Sequence, residues 1–173
     1  MFSYINYLQR LNLILNEGRA TLHEKAEVRL IGINQLDIDN LYTSGLWFYI
    51  IDGLVRLQPE EAMAKDMVHI LKRVKSSEVF EGLSENLITI TEQYGWDDAL
   101  DIIALYINES GRIEYPQGNI YSAIQYSKVS KGNTVPDIIG LTSPLGKTKT
   151  LIIFYQPDCH NCKAQLELLI NNY

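Results

Sequence analysis

Cysteine is nearly absent. Cys159 and Cys162 are the only two in 173 residues, too few for a disulfide framework, so cysteine content does not set the compartment. Histidine is almost as scarce, with three, which leaves little material for a nitrogen–sulfur metal centre. No apolar run approaches the roughly 18 residues of a transmembrane helix, so no membrane span is expected. Basic residues are outnumbered, 15 Lys and Arg against 21 Asp and Glu, for a formal net charge of −6. Phosphate binding needs clustered cations, so this balance argues against nucleic acid as a partner. The first residues also lack the basic region, unbroken apolar core and small-residue cut site of a secretory signal. There Phe2, Ile5, Leu8, Leu11 and Leu15 make an amphipathic pattern, interrupted by Asn6, Gln9, Arg10 and Asn12.

What is present is globular composition, 46% hydrophobic and 21% charged, enough for one ordinary core or one core plus a smaller piece. Up to about residue 130 the periodicity is helical. An apolar stretch over 41–57 follows Asp39 and Asn40, either of which is a candidate cap. Pro59, Glu60 and Glu61 suit a first helical turn, and Met63, Met67, Ile70, Leu71 and Val74 follow at helical spacing. Ser77 is the expected cap of a helix carrying Val79, Leu83, Leu87 and Ile90 and ending at Gly95. Asp97 is the expected cap of another, with Leu100, Ile103, Ala104 and Ile107, ending at Gly111. A last helix is expected over 119–129, stopping near Gly132.

The period then changes. Residues 137–141 and 151–155 are short, rich in β-branched side chains, and separated by the turn chemistry of Thr142-Ser143-Pro144-Leu145-Gly146-Lys147. This predicts a β-hairpin and a domain boundary near 130–135, with a helical domain over 1–131 and a second domain over 132–173. No repeat with a fixed-position pattern is visible.

The second cysteine follows the first at a helical turn's distance. Cys159-His160-Asn161-Cys162 succeeds the apolar run Leu151-Ile152-Ile153-Phe154-Tyr155 and opens the amphipathic stretch 163–170. Strand, turn, Cys-x-x-Cys, helix is the order of redox-active dithiols. A cysteine at a helix N-terminus meets unpaired N–H groups and the positive end of the helix dipole, which favour its thiolate. The thiolate is the nucleophile in disulfide exchange, and Cys162 is placed to resolve the mixed disulfide. His160 adds a titratable cation beside the sulfurs, and an ionised Asp158 opposes it. Two other readings compete: half of a zinc site, which requires further ligands, and a pair of inert small core residues.

At this point a family resemblance enters. Asn133-Thr134-Val135-Pro136-Asp137-Ile138, then Gly146, then the run from Leu151 through Gln156-Pro157-Asp158-Cys159-His160-Asn161-Cys162-Lys163 resembles the opening of a TlpA-like thioredoxin domain. The helical part, with Leu41-Tyr42-Thr43-Ser44-Gly45-Leu46-Trp47 and Ile113-Glu114-Tyr115-Pro116, is loosely similar to the region preceding that domain in Bacteroidetes thiol–disulfide oxidoreductases. Asp158 stands where the family usually has Trp. The family's cis-proline strand would come well after the motif helix, and the sequence reaches Tyr173 first, so an incomplete α/β domain is expected. The fold class expected is therefore mostly α: a helical domain, then the first hairpin, strand and Cys-x-x-Cys helix of a thioredoxin-like α/β domain.

The resemblance implies dithiol–disulfide exchange through Cys159 and Cys162, modulated by His160, Asp158 and Pro157. It implies no cofactor and no metal, a protein or small-molecule disulfide or thiol as substrate, and a redox partner protein. The setting implied is the periplasm or cell envelope, or the cytoplasm if the chain begins as written. Activity is expected to be absent or impaired without the cis-proline half, and the alternative is a helical interaction module carrying a remnant motif.

Other features carry less. Gly140 to Thr148 nearly spells a phosphate-binding loop, but five residues separate Gly140 from Gly146 where four are needed, and no helix is expected after it. His69 is expected at the edge of an apolar helix face and His23 in solvent. Tyr42, Trp47, Phe48 and Tyr49 are expected in the core.

Overall fold

The computed structural model describes residues 3–16, 20–130, 153 and 156–172. It divides into two compact units, Met1–Val135 and Pro136–Tyr173. The described part of the first unit holds eight helices: α1 (Tyr4–Asn16), α2 (Leu22–Gln35), α3 (Ile38–Thr43), α4 (Trp47–Val55), α5 (Glu60–Arg73), α6 (Ser77–Tyr94), α7 (Asp97–Ser110) and α8 (Gly118–Ser127). The described part of the second holds α9 (His160–Asn172).

The core of the first unit is one continuous apolar cluster running from Tyr7 and Leu11 of α1 to Ile120, Ala123 and Ile124 of α8. Helix α7 packs against α5, α6 and α8, while α1 packs against α2 and α4. Burial of side chains such as Phe80, Leu41, Ile50, Met67 and Leu83, all under 2% exposed, is worth about 1.5–3 kcal/mol each before entropy is charged against it.

Three arginines tie helices together across this core. Arg73 donates to the carbonyls of Ile33 and Leu36 (2.7 and 2.6 Å), closing the C-terminal end of α2. Arg112 lies over the Phe80 ring, 4.1 Å from its centroid, and donates to Val74 O at 2.8 Å, beyond the end of α5. Arg29 of α2 grips the buried Asp66 of α5 through two side-chain hydrogen bonds. Donating to the Asp66 carboxylate stabilises the Arg29 cation, raising its pKa further against the opposing effect of burial.

Several expected helices are present with different ends. The stretch 41–57 is not one helix: the chain breaks at Ser44-Gly45, where Gly45 takes φ +75°, a left-handed conformation. The cap of α3 is Asp37, whose side chain accepts from Asn40 N at 3.2 Å. Asp39 is drawn elsewhere, to the backbone N–H groups of Lys75 and Ser76 (3.0 and 2.8 Å). Ser76, rather than Ser77, caps α6, and Asp97 is the first residue of α7 rather than its cap. Gly95 and Gly111 do end their helices left-handed, with φ +67° and +62°.

The expected α/β class is not observed. Every described element is an α-helix, and no strand or sheet occurs among the described residues. The strand expected at 137–141 and the turn at 142–147 lie outside the described residues. Of the strand expected at 151–155 only Ile153 is described, and it is 42% exposed and in no strand. A short apolar run between turn residues does not by itself define a strand. Strands exist through hydrogen bonds to a paired partner, and the described residues supply no partner.

Candidate active site

The local structure around the cysteines follows from four residues. Cys159 N donates to Gln156 O at 3.0 Å, closing a turn with Pro157 and Asp158 at its centre. Proline favours the second position of such a turn because its ring pre-sets φ. The turn delivers the chain into α9, whose first i to i+4 bond runs from Lys163 N to Cys159 O at 3.2 Å. Cys159 thus occupies the cap position, one residue before the first helical residue.

Its sulfur behaves as a capping atom. Cys162 N donates to Cys159 Sγ at 3.2 Å, the bond that Ser, Thr or Asp oxygens accept when they cap helices. An N–H aimed at this sulfur, together with the positive end of the α9 dipole, favours negative charge on it over the neutral thiol. The two cysteines are joined as a disulfide with Cα atoms 5.2 Å apart, inside the normal range for such a bridge. Both are half-buried, so the sulfurs are within reach of solvent.

The other expected site residues surround this pair without joining it. Pro157 and Asp158 sit in the turn with exposed side chains, and His160 is the exposed first residue of α9. Beyond them Leu166 is half-buried, and Leu168, Leu169 and Ile170 are 56%, 37% and 70% exposed. Among the described residues no three His, Cys, Asp or Glu side chains gather as a metal site would require, so the half-zinc reading finds no third ligand there. No family model matches this chain, and neither curated proteins nor solved structures give a match. The reading of the dithiol therefore rests on its own geometry and on the motif.

The first unit places the remaining candidates. His23 is exposed, as expected, and His69 is exposed with Asn34 Oδ1 3.1 Å from its Nε2. The nine-residue stretch from Gly140 lies outside the described residues. The aromatic group corrects an expectation. Tyr42 and Trp47 are half-buried against the core, but Phe48 and Tyr49 are 48% and 60% exposed. Their rings follow one another in series, Tyr42–Trp47 tilted with centroids 5.3 Å apart, and Trp47–Phe48 and Phe48–Tyr49 edge to face at 5.7 and 5.9 Å. The cause is the break at Gly45: α4 starts afresh at Trp47, and its inward face is Ile50, Ile51, Gly53, Leu54 and Val55. The exposed strip was legible only as aromatic content, since helical phase depends on where the helix begins.

Proposed function

We propose that this chain carries out thiol–disulfide exchange through Cys159 and Cys162. The observation supporting it most directly is the disulfide at the N-terminal end of α9, with Cys159 Sγ accepting the Cys162 N–H. The motif's resemblance to TlpA-like oxidoreductases supports the same chemistry and, with it, a cell-envelope setting.

In the reductive direction the Cys159 thiolate attacks one sulfur of a substrate disulfide. A Cys159–substrate disulfide forms and the other substrate sulfur leaves as a thiolate. Cys162, deprotonated, then attacks Cys159 Sγ, releasing the second substrate thiolate and forming the Cys159–Cys162 bridge. Two electrons pass from the dithiol to the substrate, and a redox partner restores the dithiol by the reverse exchange. No cofactor is needed for this balance.

Thiol alkylation and mass measurement in glutathione buffers test the proposal. The expected outcome is a two-electron equilibrium with one intramolecular bridge and a potential between about −120 and −270 mV, the span of known dithiol oxidoreductases. Independent glutathionylation of the two cysteines would sink it. In turnover assays Cys159→Ser is expected to abolish activity, and Cys162→Ser to accumulate a mixed disulfide at Cys159.

A second reading has its own observation. The exposed Phe48 and Tyr49 make the first unit a candidate interaction module. On that reading loss of both rings reduces partner binding and leaves the dithiol potential unchanged.

A further inference from the structure

We infer that the reduced Cys159/Cys162 pair is a two-coordinate site for Cu(I). The inference shares the exchange-competent dithiol of the proposed function and adds a ligand to it.

Ligand type comes first. Thiolates are soft donors and select soft ions, Cu(I) among them, whereas Mg²⁺ and Ca²⁺ take oxygen cages. Cys159 is set up as a thiolate donor by the Cys162 N–H on its sulfur and by its place at the head of α9. Both cysteines are half-buried, so an ion reaches them from solvent.

Ligand number decides between soft ions. Asp158 and His160 are sequence neighbours of the cysteines, yet the described residues contain no group of three His, Cys, Asp or Glu side chains poised for a metal. Structural Zn²⁺ is almost always four-coordinate, so two thiolates leave it half-liganded. A monovalent d10 ion is satisfied by two sulfurs in line. That arrangement separates the sulfurs by about twice a metal–thiolate bond of ~2.3 Å. With the Cα atoms 5.2 Å apart, turning the two side chains about their Cα–Cβ bonds supplies this separation, and α9 need not move.

The balance is simple. Two thiols and one Cu⁺ give a bis-thiolate complex of net charge −1 and release two protons; no electron is transferred. The anionic complex sits at the positive end of the α9 dipole, which stabilises it. Oxidation to the disulfide removes both donors, so bound Cu(I) and the bridge exclude one another.

The test is an anaerobic titration of the full chain with Cu(I), in competition with the chromophoric chelator bicinchoninate. The reduced chain is expected to take one equivalent, and the oxidised chain none. Because protons leave on binding, affinity is expected to rise with pH, by about 100-fold per unit where both cysteines are protonated and about 10-fold per unit where Cys159 is already a thiolate. Cys159→Ser and Cys162→Ser are each expected to lose the site, and equimolar Zn²⁺ is expected not to displace Cu(I). The oxidised chain is the control that needs no substitution. Fractional stoichiometry, or a Cys162→Ser chain holding Cu(I) as tightly as the parent, would overturn the inference. A reversible disulfide in glutathione without Cu(I) uptake overturns this inference and leaves the exchange proposal standing. Stoichiometric uptake without a reversible disulfide does the reverse.

Discussion

Ser84 lies in the interior of α6, fully buried, with no hydrogen-bond partner for its Oγ among the described atoms. A buried hydroxyl left unpaired costs about 1–3 kcal/mol. Ser84→Ala removes that cost, loses little volume and improves helix propensity. The substitution is expected to stabilise the chain by about 1 kcal/mol, read as a higher urea midpoint at unchanged slope; a lower midpoint would show that the hydroxyl is bonded. Asp39 is the opposite case, a polar group with more partners than its own helix requires. Burial pushes its carboxyl pKa up, but hydrogen bonds from the N–H groups of Ser76 and Lys75 outweigh that and leave it lowered. A depressed folded-state pKa gives stability that is present above the unfolded value, ~3.9, and is lost as pH falls through the folded value. Asp39→Asn is therefore expected to lower stability at pH 7, by about 1 kcal/mol as for a lost helix cap, and the gap between the two chains should narrow as pH falls below the ordinary carboxylate value. A gap that does not change on acidification would assign Asp39 a role independent of its charge.

Helix packing in the first unit brings side chains close against Gly32, Gly53 and Gly82, and the last two are not equivalent. Gly53 faces α1: a methyl there would lie 2.9 Å from Leu11 Cγ and closer still to Cδ2, and Leu11 is fully buried with nowhere to turn. Gly82 faces the phenol tip of the half-buried Tyr42, the far end of a side chain rather than its branched root. Both substitutions to Ala gain about 1 kcal/mol of helix propensity, but overpacking at Leu11 costs about 1–3 kcal/mol. Gly53→Ala is expected to be destabilising and Gly82→Ala near neutral, by thermal unfolding of each variant. Neither contact was legible in the sequence, because each joins residues brought together only by the fold. The helices themselves were legible, since Met63, Met67, Ile70 and Leu71 mark one buried face at helical spacing. Their ends were less so. Asp39 was a candidate cap until Lys75 and Ser76, distant in sequence, claimed it. The start of α2 did carry a local signal, Thr21-x-x-Glu24, and the reciprocal bonds of a capping box are present there. At the dithiol, the Gln156-Pro157-Asp158-Cys159 turn and the helix after it follow from local chemistry, whereas the expected sheet required partners that local chemistry does not specify.

For the whole molecule, the two units differ in what holds them. The buried core cluster lies entirely between Tyr7 and Ile124, and no helix among the described residues is long and apolar enough to cross a membrane. The only described disulfide closes a sequence separation of 3 in the other unit. A bridge stabilises by restricting the unfolded chain, and the restriction grows with the loop it closes. A loop this short constrains only its own turn, and it spans no part of the core that sets the main unfolding transition. Reduction is therefore expected to leave that transition unchanged within about 1 °C, since a shift of several degrees corresponds to a full kcal/mol in a domain this size. Calorimetry of the chain with and without reductant checks this. An unchanged midpoint means the dithiol is free to cycle, or to exchange its bridge for a metal, without loosening the helical core. A midpoint that falls by several degrees on reduction would mean that the stability of the core and the redox state of Cys159 and Cys162 are thermodynamically linked.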